Sequence, residues 1–183
     1  LLASIMAKKY SVSSTHILID VPIGRDAKVK NRAGAIRLKK EFEKIGKKLK
    51  KHIKVLITDG TQPIGNGIGP ALEARDVLWL LKRDPRRPID LENKCLMMCS
   101  NIFGMIGLKD GYKKALEILN SGKAYNKMIE IVKAQGGKEI AAEDLKIGRH
   151  SFDFLSAKSG KIADIDNTSV SRIARIAGAP HDK

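Results

Sequence analysis

The sequence predicts an α/β protein: a partly parallel sheet flanked by helices across residues 1–143, followed by the start of a smaller α+β domain across 144–183. Three observations carry that prediction. Two short apolar runs, HILIDV at 16–21 and IKVLI at 53–57, are rich in β-branched residues and bounded by turn formers, as buried strands are. A stretch long enough for a helix separates them, and strands spaced by whole helices tend to pair in parallel. After about Glu143 the pattern changes to short alternating segments, which marks a domain boundary.

The elements follow in order. Residues 1–10 read as a helix, the run at 16–21 as the first strand, and PIGRDAKVKN as a basic loop behind it. Over 32–51, Leu38, Phe42, Ile45 and Leu49 recur at steps of four, three and four. That is one apolar face of an amphipathic helix, with lysines around the rest. The second strand runs into the turn-rich TDGTQPIGNGIG, after which Pro70 opens a helix through ALEARDVLWLL, proline being favoured at a first helical position. DPRRP breaks the chain before a helix over about 89–106. Two more helices are expected over 109–120 and 123–135, the second closed by Gly136 and Gly137. Beyond the boundary, SFDFLSA and GKIADID alternate like strands, and SVSRIARIA reads as one short helix. There is no internal repeat and no low-complexity tract.

Composition removes several functional classes. With 183 residues, 43% of them hydrophobic and 30% charged, the chain can bury ~70% of its unfolded surface and is not a disordered tail. No stretch approaches the ~20 apolar residues of a membrane helix, and LLASIMAKKY runs apolar then basic, the reverse of a secretory signal. A cytoplasmic setting is expected. Cys95 and Cys99, one helical turn apart, lack the further ligands of a zinc set and are expected to be buried free thiols. The chain opens on Leu1 and stops at AGAPHDK without a closing element, so it is expected to be a piece of a longer protein.

The formal charge of +15 needs a reason. Residues 25–51 hold twelve basic and three acidic side chains, so nine of the fifteen net charges lie there. A basic nucleic-acid-binding module is one reading. Aromatic residues make up only 4% of the chain, which leaves little stacking surface, and a solvated lysine-rich helix face explains the charge better. The loop Gly24, Arg25, Asp26, Ala27, Lys28 and Lys30 is different, because it follows the carboxyl end of a strand, the edge where open α/β sheets bind ligands. Flexible glycine with cations there suits a phosphate or carboxylate. Gln62 to Pro70, QPIGNGIGP, places three glycines between a strand and a helix. It could cradle an anion on backbone N–H groups, but its spacing matches neither common phosphate motif, and a tight crossover accounts for it as well. Ser4 and Lys8, at i and i+4, would project from one helix face. The four histidines, His16, His52, His150 and His181, assemble no nucleophilic triad.

Together, LLASIMAKKY, THILIDVPIGRDAKVK and ITDGTQPIGNGIGPALEARDVL, in this order and spacing, resemble the thymidine/pyrimidine-nucleoside phosphorylase family. QPIG…GPALEAR and the ending IDN…IARIAGAPHDK look most like its archaeal-type AMP phosphorylase branch. The resemblance covers essentially the whole chain. It implies phosphorolysis of AMP, with CMP and UMP as alternatives, to free base and ribose 1,5-bisphosphate; nucleosides such as thymidine are the alternative substrates.

Residue by residue, the resemblance implies that Ser4 and Lys8 contact the nucleotide or base, and that Lys28, helped by Arg25, binds the nucleotide phosphate. It implies inorganic phosphate as co-substrate, no organic cofactor, and a homo-oligomeric parent with no nucleic-acid or membrane partner. Ile64, Gly67 and Asp76 match a family site for a monovalent cation, with aspartate in place of a longer glutamate. The family's phosphate loop and its proton-donating acid are expected upstream of Leu1. No catalytic residue is therefore expected in this chain, and the fragment alone is expected to be inactive.

Overall fold

The computed structural model describes residues 2–148 and 150–180. It contains seven α-helices and two parallel strands among those residues, so the α/β expectation is met. Two compact units divide the chain, one of residues 1–62 with 94–115, the other of 63–93 with 116–183.

The first unit is built on β1 (His16–Ile23) and β2 (His52–Asp59), paired in parallel from His16↔His52 to Ile23↔Asp59. Helix α1 (Leu2–Ser11) precedes β1, and α2 (Arg32–Lys48) connects the strands. Alternate residues of β1, namely Ile17, Ile19 and Val21, are buried with Val55 of β2, Met6 of α1, and Ala35 and Phe42 of α2. Phe42 is fully enclosed, and Leu38, Ile45 and Leu49 pack around it, which is the face the spacing predicts. Asn31 caps α2 by accepting from the Gly34 N–H at 2.9 Å.

Helix α2 stops at Lys48, three residues short of the expected end, because the chain must turn into β2. Lys50 takes a left-handed conformation (φ 54°), its N–H donates to the Lys47 carbonyl, and the Lys51 N–H donates to that of Gly46. That double closure ends helices that turn sharply. His52, expected at a helix end, opens β2 instead and stacks on His16 with ring centroids 4.7 Å apart. His150 is exposed, and His181 lies outside the described residues.

In the second unit, α3 (Pro70–Leu81) carries Pro70 at its start, and a 3₁₀ turn at Ala142–Asp144 packs against it. The Trp79 indole N–H donates to Glu143 at 3.2 Å, and the guanidinium groups of Arg75 and Arg86 lie over the ring. Helix α6 (Lys123–Ala134) and α7 (Asn167–Ile176) belong to this unit, the latter capped by the Asp166 side chain. Helices α4 (Ile89–Met105) and α5 (Gly111–Asn120) each run from one unit into the other.

Two expectations are corrected. The segments at 151–157 and 160–166 form no strand; Phe152, Phe154, Leu155 and Ile162 are exposed. Alternation makes a strand only when a neighbour takes up its backbone hydrogen bonds, and among the described residues β1 and β2 are the strands and pair with each other. The cysteines are exposed rather than buried. Helix α4 buries Glu92 and Leu96, one turn apart; at about 100° per residue Cys95 falls to the side of that face, whereas Cys99 lies close to the line of Glu92 and is exposed all the same. Partial desolvation still raises both thiol pKa values, that of Cys95 also through its neighbour Cys99.

Candidate functional site

The carboxyl edge of the two strands is where charged side chains collect. At the end of β1 the chain meets the turn after β2: a Cβ on Gly24 would lie 2.6 Å from the Gly60 carbonyl oxygen, so only glycine permits this approach. The loop then folds on itself. Gly24 N–H donates to Val29 at 3.3 Å, Ala27 N–H to Gly24 at 3.2 Å, and the Lys30 ammonium caps the Arg25 carbonyl. Arg25 pairs with Asp26 at 3.3 Å. Lys28 stands exposed in this loop.

A cavity of about 420 Å³ opens at this edge, within the size range of small-ligand sites. Arg25, Lys30 and Arg32 line it with Thr58, Asp59 and Thr61, over a floor that includes Ile23 and Ile57. The Thr61 N–H and hydroxyl both donate to Asp59 Oδ1, at 2.9 and 2.7 Å. These bonds, the N–H first, hold the Asp59 pKa below the ordinary carboxylate value. Beneath it, the Thr58 hydroxyl donates to Asp20 Oδ1 at 2.7 Å, and Lys94 of α4 pairs with Asp20 Oδ2 at 2.7 Å.

Of the residues singled out from sequence, Gly24, Arg25 and Lys30 line the cavity, while Ser4, Lys8 and Lys28 are not in its lining. Ser4 and Lys8 share the exposed side of α1, about 200° round the helix from buried Met6. Sequence reasoning missed Arg32 as a cavity residue, and Thr58 and Asp59 altogether. Their signal was the position of TD at the carboxyl end of β2, the sheet edge already singled out for β1.

The glycine-rich segment in the second unit does something else. Asn66 and Gly67 N–H groups both donate to Asp76 Oδ2 at 2.7 Å, Gly65 N–H donates to Asp90 at 3.1 Å, and Gly69 N–H to Glu73 at 3.0 Å. These donors are already engaged by the protein's own carboxylates, so they offer no anion cradle. Gly67 is required by close approach, since a Cβ there would lie 2.4 Å from the Leu72 backbone. Asp76 is only 2% exposed, and its Oδ1 is buried without a hydrogen-bond partner. An orphaned carboxylate oxygen beside this loop fits the monovalent cation that the resemblance implies.

Comparison with known proteins gives this geometry its context. No family model matches the chain. A protein named "AMP phosphorylase" from Pyrococcus abyssi is 45% identical over 100% of this chain, and one of the same name from Thermococcus kodakarensis is 44% identical over 100%. "Putative thymidine phosphorylase" from Albidiferax ferrireducens is 44% identical over 98%. The chain is a homologue of these phosphorylases. It spans about a third of their length, 35% of the Albidiferax protein and 37% of the other two. Within this phosphorylase homologue, both the cationic strand edge and the loop around Asp76 lie inside the matched region. No helix of the described residues is long and apolar enough to cross a membrane.

Proposed function

We propose that the chain is part of a nucleotide phosphorylase that splits AMP, or alternatively CMP or UMP, with inorganic phosphate into free base and ribose 1,5-bisphosphate. The observation that carries this reading is 44–45% identity to AMP phosphorylases along the whole of this chain, combined with a cation-rich loop at the strand edge. In the reaction, a phosphate oxygen bonds to the anomeric carbon as the carbon–nitrogen bond to the base breaks, and the departing base takes a proton. Ser4 and Lys8 would hold the base end of the nucleotide, and Lys28, with Arg25 nearby, its 5′-phosphate. Charge-assisted contacts of this kind contribute roughly 1.5–3 kcal/mol each.

Residues for inorganic phosphate and for protonating the base are expected elsewhere in such an enzyme, so this chain alone should bind nucleotide without turning it over. Residues 144–183 would open a further domain, and the whole protein would work as a cytoplasmic homo-oligomer. Asp76, with the backbone of Ile64 and Gly67, would hold a monovalent cation that supplies positive charge to steady the loop.

A second reading, a pyrimidine-nucleoside phosphorylase, draws on the name of the Albidiferax relative. Calorimetric titration of the chain with AMP and with thymidine separates the two, together with phosphorolysis of both by the longer protein that carries it. Preference for AMP supports the nucleotide reading; preference for thymidine replaces it.

A further inference from the structure

We infer that the amino end of β2 carries a second anion site, suited to a run of adjacent phosphate groups such as a condensed inorganic phosphate or the polyphosphate tail of a nucleotide. The cavity described above lies at the other end of the same strand. Five residues separate Lys54 from Asp59, roughly 17 Å at about 3.3 Å per residue. The site is therefore separate from that cavity and independent of the nucleotide reading.

The turn that closes α2 builds it. Lys50 is left-handed there, and the Lys51 N–H donates to the Gly46 carbonyl at 2.9 Å. The chain folds back, so Lys47 of the last helical turn, Lys51 of the turn and Lys54 of β2 line one cavity of about 470 Å³, within the size range of small-ligand sites. Gly46 allows the helix end to press on the strand, since a Cβ there would lie 2.7 Å from Ile53 Cγ1. All of the lining belongs to the first unit.

The charge of the lining is unspent. Among the described residues, none of these three ammonium groups is held in an ion pair. Lys51 lies over the Tyr10 ring, 5.5 Å from its centroid, which positions the ammonium without neutralising it. Glu43, the acid of the lining, is paired at 3.8 Å with Lys39 from outside it. His52 adds a ring N–H able to donate to a phosphate oxygen. That ring is held by stacking on His16 at an interplanar angle of 14°, and a 3.1 Å hydrogen bond joins His16 Nδ1 to Thr15 Oγ1. Lys51 and Lys54 are three residues apart, about 10 Å of extended chain. Drawing their side chains onto one phosphate costs rotamer freedom, whereas an anion with spread charge meets them where they stand. Ile53 and Met105 give the cavity an apolar wall on which an organic group can rest.

The test is titration of the 183-residue chain, free of divalent cations, with tripolyphosphate, ATP, AMP and inorganic phosphate. Calorimetry gives the affinities, and NMR follows the Met105 methyl and His52 ring at one end of β2 and the Ile23 and Ile57 methyls at the other. Tripolyphosphate should move Met105 and His52 more than the isoleucines and bind at least about tenfold tighter than phosphate. Lys47→Gln, Lys51→Gln and Lys54→Gln should each weaken it about fivefold, with melting curves confirming that the variants fold. Glu43→Gln should tighten it by a similar factor, a gain that a merely structural role would not produce. Lys48→Gln, beside the site but outside its lining, should stay within about twofold. ATP binding tighter than tripolyphosphate, with the advantage lost in Met105→Ala, supports the site with a nucleotide tail as its ligand. Equal affinities unaltered by Met105→Ala support it with an inorganic condensed phosphate. Phosphate binding as tightly as tripolyphosphate, a Lys48→Gln loss equal to the others, or shifts confined to Ile23 and Ile57 each overturn the assignment, as does no binding of tripolyphosphate or ATP. Tripolyphosphate that moves Met105 while AMP fails to bind supports this site and counts against the nucleotide reading alone.

Discussion

Two loops in this chain look alike as sequence and differ in what they do with their polar groups. GRDAKVKN follows β1, and QPIGNGIGP precedes α3; each carries glycine beside groups able to hold a phosphate. In the second, N–H groups at 65, 66, 67 and 69 are all bonded to aspartate or glutamate side chains of the same unit. In the first, charged side chains line an open cavity. The destination of each backbone N–H, rather than the glycine count, separates a structural crossover from a binding loop.

The contrast breaks most visibly at Asp76. Removing its carboxylate leaves the buried Gly67 N–H and the part-buried Asn66 N–H without this acceptor, and a buried loss of this kind costs about 1–3 kcal/mol. Asp76→Ala is therefore expected to destabilise the chain by roughly 2–4 kcal/mol in urea unfolding. Asp76→Asn keeps one carbonyl oxygen as acceptor and should recover part of that. An Asp76→Ala protein as stable as wild type would remove the structural role assigned to this loop.

The binding loop should respond in the opposite way. Lys28 is exposed, so Lys28→Ala should leave the unfolding midpoint almost unchanged. It should weaken AMP by one charge-assisted contact, roughly tenfold to a hundredfold, while thymidine affinity stays within about twofold. Equal losses for AMP and thymidine would show that Lys28 does not read the phosphate.

Acid titration sharpens the same distinction within the exposed carboxylates. Arg86, through its side chain and backbone N–H, holds the Asp84 pKa down to about 2, and Thr61 lowers that of Asp59. A depressed folded-state pKa stabilises the folded chain above the unfolded value, ~3.9 for aspartate. That contribution is lost as pH falls from there through the folded value, for Asp84 at about 2. Carboxyl carbon shifts followed by NMR should show Asp84 titrating near 2, well below the ordinary aspartate value, and Arg86→Ala should return it toward that value. Asp59 should move upward in a Thr61→Ala variant and stay fixed in Arg86→Ala.

Much of the first unit was legible. The apolar runs became β1 and β2, and the spacing of Leu38, Phe42, Ile45 and Leu49 named the packed face of α2, because burial imposes periodicity directly on sequence. The loop after β1 was legible as a ligand edge for the same topological reason. Thr58 and Asp59 were not, since a two-residue strand ending carries no period, and their roles depend on Asp20, Lys94 and Thr61. The alternation at 151–166 misled, because a strand depends on a neighbour that its own residues do not encode. Cys95 was misplaced by about one helical position, since the apolar stretch CLMMC hides which face is buried.

The smallest expected effect concerns glycine where it is absent. The loop before α3 places Gly65 (φ 79°) and Gly69 (φ 104°) where the backbone is left-handed, but the turn out of α2 places Lys50 there at φ 54°. A side chain in that region costs roughly 1–2 kcal/mol, partly offset in glycine by the greater entropy it loses on folding. The hydrogen bonds of this turn are made by backbone N–H groups of residues 50 and 51, so a substitution preserves them. Lys50→Gly should therefore stabilise the chain by up to about 1 kcal/mol, read as a higher urea midpoint at unchanged slope. A Gly69→Lys change, at a positive-φ position (φ 104°, ψ 157°) that is nearly confined to glycine, should destabilise it, both through backbone strain and because a Cβ there would lie 3.1 Å from that of Ala179. If both substitutions shifted stability in the same direction, side-chain charge rather than backbone conformation would govern these two turns.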